Sequence, residues 1–184
     1  MKNINSLPGK SFSQQNKDTK KQPYRKSNAV KLLEMLSFAA KRSKYPMIPI
    51  NYLAPVTFRD DTANGLTKCI TSFIQLNGGQ AERISTTGRP IDRTKIVTDV
   101  LGHQRRIGSI NWIPGTTTNG SADISATIAG RSVKIEVKIG QDSQSGAQKE
   151  YECNIIASGG LYYIAKDFNS FLTWYNLTFL ILPI

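Results

Sequence analysis

Asp123, Glu136 and Lys138 are the residues of this chain whose types and spacing could do chemistry together. Hydrolysis of a phosphodiester needs charge neutralised at the phosphate and a water activated beside it. A divalent cation held by carboxylates supplies both without any histidine. The chain carries one histidine in 184 residues, so a hydrolytic site here would depend on that solution. Glu136 and Lys138 stand two apart, and side chains of a strand return to the same face every second residue. Asp123 lies near the start of the preceding apolar segment. With the two segments paired in register, both carboxylates and the ammonium would converge on one phosphate.

Convergence of that kind requires a hairpin and something to hold it. Residues 122–128 and 132–139, separated by Ala129-Gly130-Arg131, read as a hairpin whose second arm alternates, with Val133, Ile135, Val137 and Ile139 on one face and Lys134, Glu136 and Lys138 on the other. Upstream, Asp60 or Asp61 can cap a helix whose apolar face is Leu66, Cys69, Ile70, Phe73 and Ile74 and which ends at Gly78-Gly79. A strand over 80–84 and a loop over 85–90 follow. Residues 91–121 show little periodicity apart from some alternation over 106–113, and 114–120 reads as a loop. Downstream come a helix over 145–158, Gly159-Gly160, a strand over 161–165 and a short helix from about Asp167. Ahead of all this, Ser27 can cap an amphipathic helix with Ala29, Leu32, Leu33, Leu36, Ala39 and Ala40 on its apolar side and Lys41 and Arg42 at its end. Pro46, Pro49 and Pro55 then impose an extended connector.

The order Gly120-Ser-Ala-Asp123, twelve intervening residues, Glu136-Val-Lys138, then Gln148-Lys-Glu-Tyr151 resembles the PD-(D/E)XK nuclease superfamily and, within it, the VRR-NUC branch. The resemblance covers roughly residues 60–175. It implies an α/β domain with a restriction-endonuclease-like core, a mixed central sheet flanked by helices, and a Mg²⁺- or Mn²⁺-dependent deoxyribonuclease activity. Residue by residue, it implies that Asp123 and Glu136 bind the metal with help from the backbone carbonyl of Val137. Lys138 would orient the attacking water or stabilise the pentacovalent phosphate. Gln148 would buttress the site, with Tyr151 one turn further along, and Gly120 would let the backbone approach DNA closely. The chain departs from the family where relatives often carry a glutamate on the first core helix. Here the neighbourhood reads Asp60-Asp61-Thr-Ala-Asn64-Gly, leaving Asn64 or Asp61 in that place.

Charge points to a polyanion. The chain has 24 Lys and Arg against 13 Asp and Glu, a formal charge of +11, and residues 1–45 hold most of it: eleven basic residues against Asp18 and Glu34. Residues 1–26, almost without branched apolar side chains, read as a disordered basic arm and an electrostatic tether to nucleic acid. Arg89, after Thr87-Gly88, and the pair Arg105-Arg106 are candidates to grip phosphate, each weighed against simple solvation. His103 reads as a surface residue, since no second histidine or cysteine lies nearby to share a metal. Cys69 and Cys153 are too few and too far apart for a disulfide framework or zinc site.

The organisation expected is therefore an arm over 1–26, an accessory helix and connector over 27–58, a nuclease domain over 59–176 and an apolar tail over 177–184. No membrane partner is expected, because no run reaches the roughly 18 apolar residues of a span; a cytoplasmic location is expected from the two isolated cysteines and the polar N-terminus, which lacks a signal-peptide run. The leading reading is a metal-dependent endonuclease acting on DNA, structure-selective, serving replication, recombination or repair, with a setting in a phage or mobile element resting on resemblance alone. A homodimer would supply the two active sites that cutting a duplex requires. The alternative is a nucleic-acid-binding module that keeps the fold without catalysis.

Overall fold

A computed structural model describes residues 23–85, 88–115 and 118–180. Of the arm expected over 1–26, residues 1–22 lie outside the described residues. Residues 23–26 are held against the domain: the Tyr24 hydroxyl donates to the Asp60 carboxylate at 2.7 Å, and Lys26 reaches Glu34 at 2.6 Å. Those four residues are thus tied to the domain, which shortens the arm expected from composition.

Helix α1 (Asn28–Lys44) starts where Ser27 accepts from the Val30 amide, and Ala29, Val30 and Leu33 pack inward. Leu32 and Leu36, placed on the apolar face by spacing, are instead 43% and 39% exposed, because only the first turns of α1 are covered. The Pro-rich connector holds only a short 3-10 turn, Ile50–Tyr52. Helix α2 (Ala63–Leu76) is capped by Thr62, whose hydroxyl accepts from Gly65, and not by Asp60 or Asp61. Both acids are engaged elsewhere: Asp60 accepts from Tyr24 and from the Phe168 amide, and Asp61 pairs with Arg59 at 2.6 Å.

The central sheet has the order β1 (Gln80–Arg83), β6 (Ile124–Ile128), β7 (Arg131–Val137), β8 (Leu161–Ala165). The first three strands run antiparallel and β8 runs parallel to β7, which makes the sheet mixed. A two-residue turn, Ala129-Gly130, with positive φ at both positions, closes β6 onto β7 in the twist that suits a hairpin. One face of the sheet carries Ile124, Ala126, Ile128, Val133, Ile135 and Val137, all buried. Helices α2 and α4 (Phe168–Tyr175) cover it and α1 packs on both, with Phe73 of α2 edge-on to Phe168 at 5.8 Å and to Tyr175 at 5.1 Å. Each such aromatic contributes about 1.5–3 kcal/mol by burial alone. Helix α3 (Gly146–Ala157) connects β7 to β8 and packs on β8.

Two further features depart from expectation. Residues 89–113, weak in periodicity, form an antiparallel arm: β2 (Arg89–Asp92) pairs with β5 (Ile110–Ile113), and β3 (Lys95–Thr98) with β4 (Gln104–Ile107). Arg89 therefore opens a strand, although a loop is expected over 85–90. At the other end, the described part of the apolar tail is no separate segment. Asn176–Leu180 continue α4 as a π-helical stretch, and Phe179 packs on Trp174 and Tyr175. No described helix is long and apolar enough to cross a membrane.

Candidate active site

The polar face of the sheet assembles the site. In the ladder, Ile124 faces Ile135, so Asp123, immediately before β6, comes opposite Glu136. Two hydrogen bonds hold Asp123 there: its carbonyl accepts from the Ile84 amide at 2.8 Å, and its Oδ2 accepts from the Val137 amide at 2.9 Å. A strand residue's N–H and C=O leave on the same edge, so the Val137 carbonyl also faces the Asp123 side. Lys138 follows β7 directly, and its amide donates to the Ala165 carbonyl at 2.9 Å, which extends the β8 pairing up to the site.

Glu136 and Lys138 are 2% and 7% exposed, a degree of burial that charged side chains reach only when paired. Their ion pair is 3.1 Å long, and Lys138 also lies 3.4 Å from Asp142. Gln148 ties the pair together. Its Nε2 donates to Glu136 Oε1, and its Oε1 accepts from Lys138 at 3.1 Å and from the Ser145 amide at 2.9 Å. The last of these belongs to a capping box at the start of α3, so the residue that caps the helix also reaches the site.

Burial, and after it the charge of Asp123, pushes the Glu136 carboxyl above its ordinary range. Burial opposes the charge on Lys138, but Glu136 and Asp142 more than offset it, and its pKa lies above that of a free lysine. Glu136 Oε2 is buried and has no hydrogen-bond partner among the described residues. A buried acceptor left this way is costly unless a cation or water meets it. Among the described residues no three His, Cys, Asp or Glu side chains gather as a ready metal cage. The donors that could hold a hard cation are Asp123, Glu136 and the Val137 carbonyl, all oxygen.

The other candidates fall in different places. Gly120, at φ +77°, backs onto the first turn of α3: a Cβ there would lie 2.3 Å from the Ala147 carbonyl oxygen. That contact with α3 is where glycine is needed. Gly120 and Gln148 also line a cleft of about 470 Å³ that reaches Pro114 at the foot of the β2–β5 arm. Tyr151 is half-buried and edge-on to Tyr162 at 6.4 Å. Arg89 lies at the foot of the arm and Arg105 and Arg106 on β4, and His103 is exposed at its tip beside Asp99. Neither Asp61, held by Arg59, nor Asn64, exposed in the first turn of α2, hydrogen-bonds to the site.

Tyr162 of β8 was not among the sequence candidates. It pairs with Lys134 and so faces the same side as Glu136. Its hydroxyl is buried, and burial, followed by the Glu136 charge, pushes its pKa up to about 12. The only sequence signal for it is its parity in the strand, which is informative once the β7–β8 register is known. No protein-family model matches the chain, and no curated protein matches it.

Proposed function

We propose that the protein is a divalent-metal-dependent DNA nuclease that hydrolyses phosphodiester bonds at Asp123, Glu136 and Lys138. The observation that carries this reading is the buried Glu136 carboxylate, with one oxygen lacking a partner among the described residues and a second carboxylate, Asp123, close enough to raise its pKa. A neighbouring carboxylate disfavours the charge of a buried acid such as Glu136, and a bound cation inverts that penalty. An all-oxygen donor set suits Mg²⁺ or Mn²⁺. When bound, such an ion would neutralise charge on the phosphate and lower the pKa of a water.

The chain's own residues do the rest. Asp123 and Glu136, with the Val137 carbonyl, would hold the ion. Lys138, an ammonium with three donors and no lone pair, orients the water and stabilises negative charge gathering on the phosphate. Gln148 holds Glu136 and Lys138 in mutual register. The succession α2, β1, β6, β7, α3, β8, with β8 parallel to β7, supports a restriction-endonuclease-like core and the resemblance to the PD-(D/E)XK superfamily.

A second reading, a binding module without catalysis, is favoured by one observation: among the described residues no side chain of α2 hydrogen-bonds to the site, and Asp61 just ahead of it is taken by Arg59. Cleavage of labelled single-stranded, duplex, flap and four-way-junction DNAs in Mg²⁺, Mn²⁺ or EDTA separates the two. The nuclease predicts metal-dependent cutting that disappears in Glu136→Ala. Binding with no cutting under either metal would leave the binding module.

A further inference from the structure

The two short ladders of the arm share one register. Arg89 faces Ile113, Asp92 faces Ile110, Lys95 faces Ile107 and Thr98 faces Gln104. Equal numbers of residues separate the ladders on the two strands, and Arg93 bonds Ser109 between them. The arm is therefore a single hairpin running from Arg89 to Ile113, roughly 30 Å long at about 3.3 Å per residue. Its parity survives the interruption, as side-chain contacts show: Arg106 of β4 reaches Thr94 at 3.0 Å and Asp92 at 3.6 Å, all even-numbered residues.

Sorted by parity, the two faces differ in charge. Arg89, Arg93, Lys95 and Arg105 share the odd face, where the sole acid is Asp99 at the tip, and its Oδ1 is occupied by the amides of Leu101 and His103. On the even face Arg106 is matched by Asp92, and the rest is uncharged. Arg105 and Arg106, adjacent in sequence, thus point to opposite sides. Every residue of the four strands is exposed except Ile91, which is half-buried, and the arm makes no substantial contact with any other element. Isolated two-stranded hairpins are at best marginal in water.

We infer that the odd face of this arm, Arg89, Arg93, Lys95 and Arg105, is a docking surface for the sugar-phosphate backbone of duplex DNA. A row of cations along a ribbon of this length is complementary to a polyanion with regularly spaced charges. A two-stranded ribbon is also narrow enough for the major groove. The foot of the arm opens on the cleft that Gln148 lines, so duplex held along the arm is led towards Glu136. The identification of the polyanion as DNA rests on the nuclease reading above.

The test is the salt dependence of duplex binding in EDTA, where metal-dependent cutting is blocked. Each phosphate contact adds about 0.9 to the slope of log K against log salt. The combined variant Arg89→Gln, Arg93→Gln, Lys95→Gln, Arg105→Gln should therefore lose about 3 to 4 from that slope, while Arg106→Gln loses less than about 1. Replacing the three arginines by lysine should keep the slope. Circular dichroism and melting of each variant establish that the domain stays folded.

An unchanged slope in a folded combined variant that still cuts in Mg²⁺ overturns the docking surface and leaves the nuclease standing. A reduced slope with no cutting by the wild type supports the docking surface and removes the nuclease. If the slope holds but sedimentation shows a change in oligomeric state, the arm contacts a second copy of the chain and the inference is wrong.

Discussion

Gln148 on α3 donates its side-chain amide to the Glu136 carboxylate on β7, and so couples the first turn of a helix to a buried acid of the sheet. The same amide's oxygen accepts from Lys138. Replacing it with alanine frees both partners without removing either. Gln148→Ala should lower kcat about 10- to 100-fold, the usual cost of losing a supporting contact around a metal site. Steady-state cleavage with saturating DNA checks this; unchanged kcat would mean that Gln148 serves the helix cap alone.

Lys138→Met keeps the length of the side chain and removes its charge. Loss of one donor aimed at developing charge costs about 10² to 10³ in rate. Single-turnover cleavage should fall by that factor while the Kd for DNA measured in EDTA moves only a few-fold. A comparable loss of binding would place Lys138 in recognition instead of chemistry.

Asp123→Asn retains an oxygen to accept from the Val137 amide, so the local fold should survive. It removes one of the two negative charges offered to a cation. Titration calorimetry with Mn²⁺ should show weakened binding at a melting temperature close to the wild type. Equal Mn²⁺ affinity in the two proteins would remove Asp123 from the metal site.

Gly120→Ala tests how the loop before β6 packs on α3. The new Cβ would collide with the Ala147 carbonyl at 2.3 Å, at a φ that L residues rarely adopt. A destabilisation of about 1–3 kcal/mol is expected from the strained backbone alone, with the collision adding to it. Urea denaturation measures it, and a stability within error of the wild type would show that the contact yields freely.

Glu34 provides a pH-dependent test remote from the site. Burial would raise its pKa, but the Lys26 ammonium and the Phe58 amide, which donates at 2.8 Å, more than offset this and hold it below the ordinary carboxylate value. A carboxyl lowered on folding contributes stability above its unfolded pKa, near 4.5, and loses it as pH falls through the folded value. Glu34→Gln should therefore cost about 1–2 kcal/mol at pH 7. The gap from the wild type should close below about pH 4.5. A gap constant from pH 7 to pH 3 would assign the loss to packing.

The amino-acid sequence by itself determined the elements whose signals are local. The β6–β7 hairpin is legible because its inner face is buried, which enforces alternation, and the turn residues mark where it reverses. Ser27 is legible as a cap because a cap bonds two or three residues ahead, and the starts of α3 and α4 are legible near Ser145 and Asp167, which the structure shows to be their caps. The grouping of Glu136 with Lys138 follows from strand parity alone. Tertiary structure decided whatever depends on distant partners or on the lack of a buried face. Asp60 is held by Tyr24 and Phe168, 36 and 108 residues away, so its appearance as a helix cap misleads. The Glu136–Gln148 bond and the placement of Tyr162 needed the β7–β8 register. The arm escaped notice because both its faces are solvated: with no core to select for apolar residues on one side, pairing leaves little alternation in the sequence beyond that over 106–113, and the backbone hydrogen bonds reveal it.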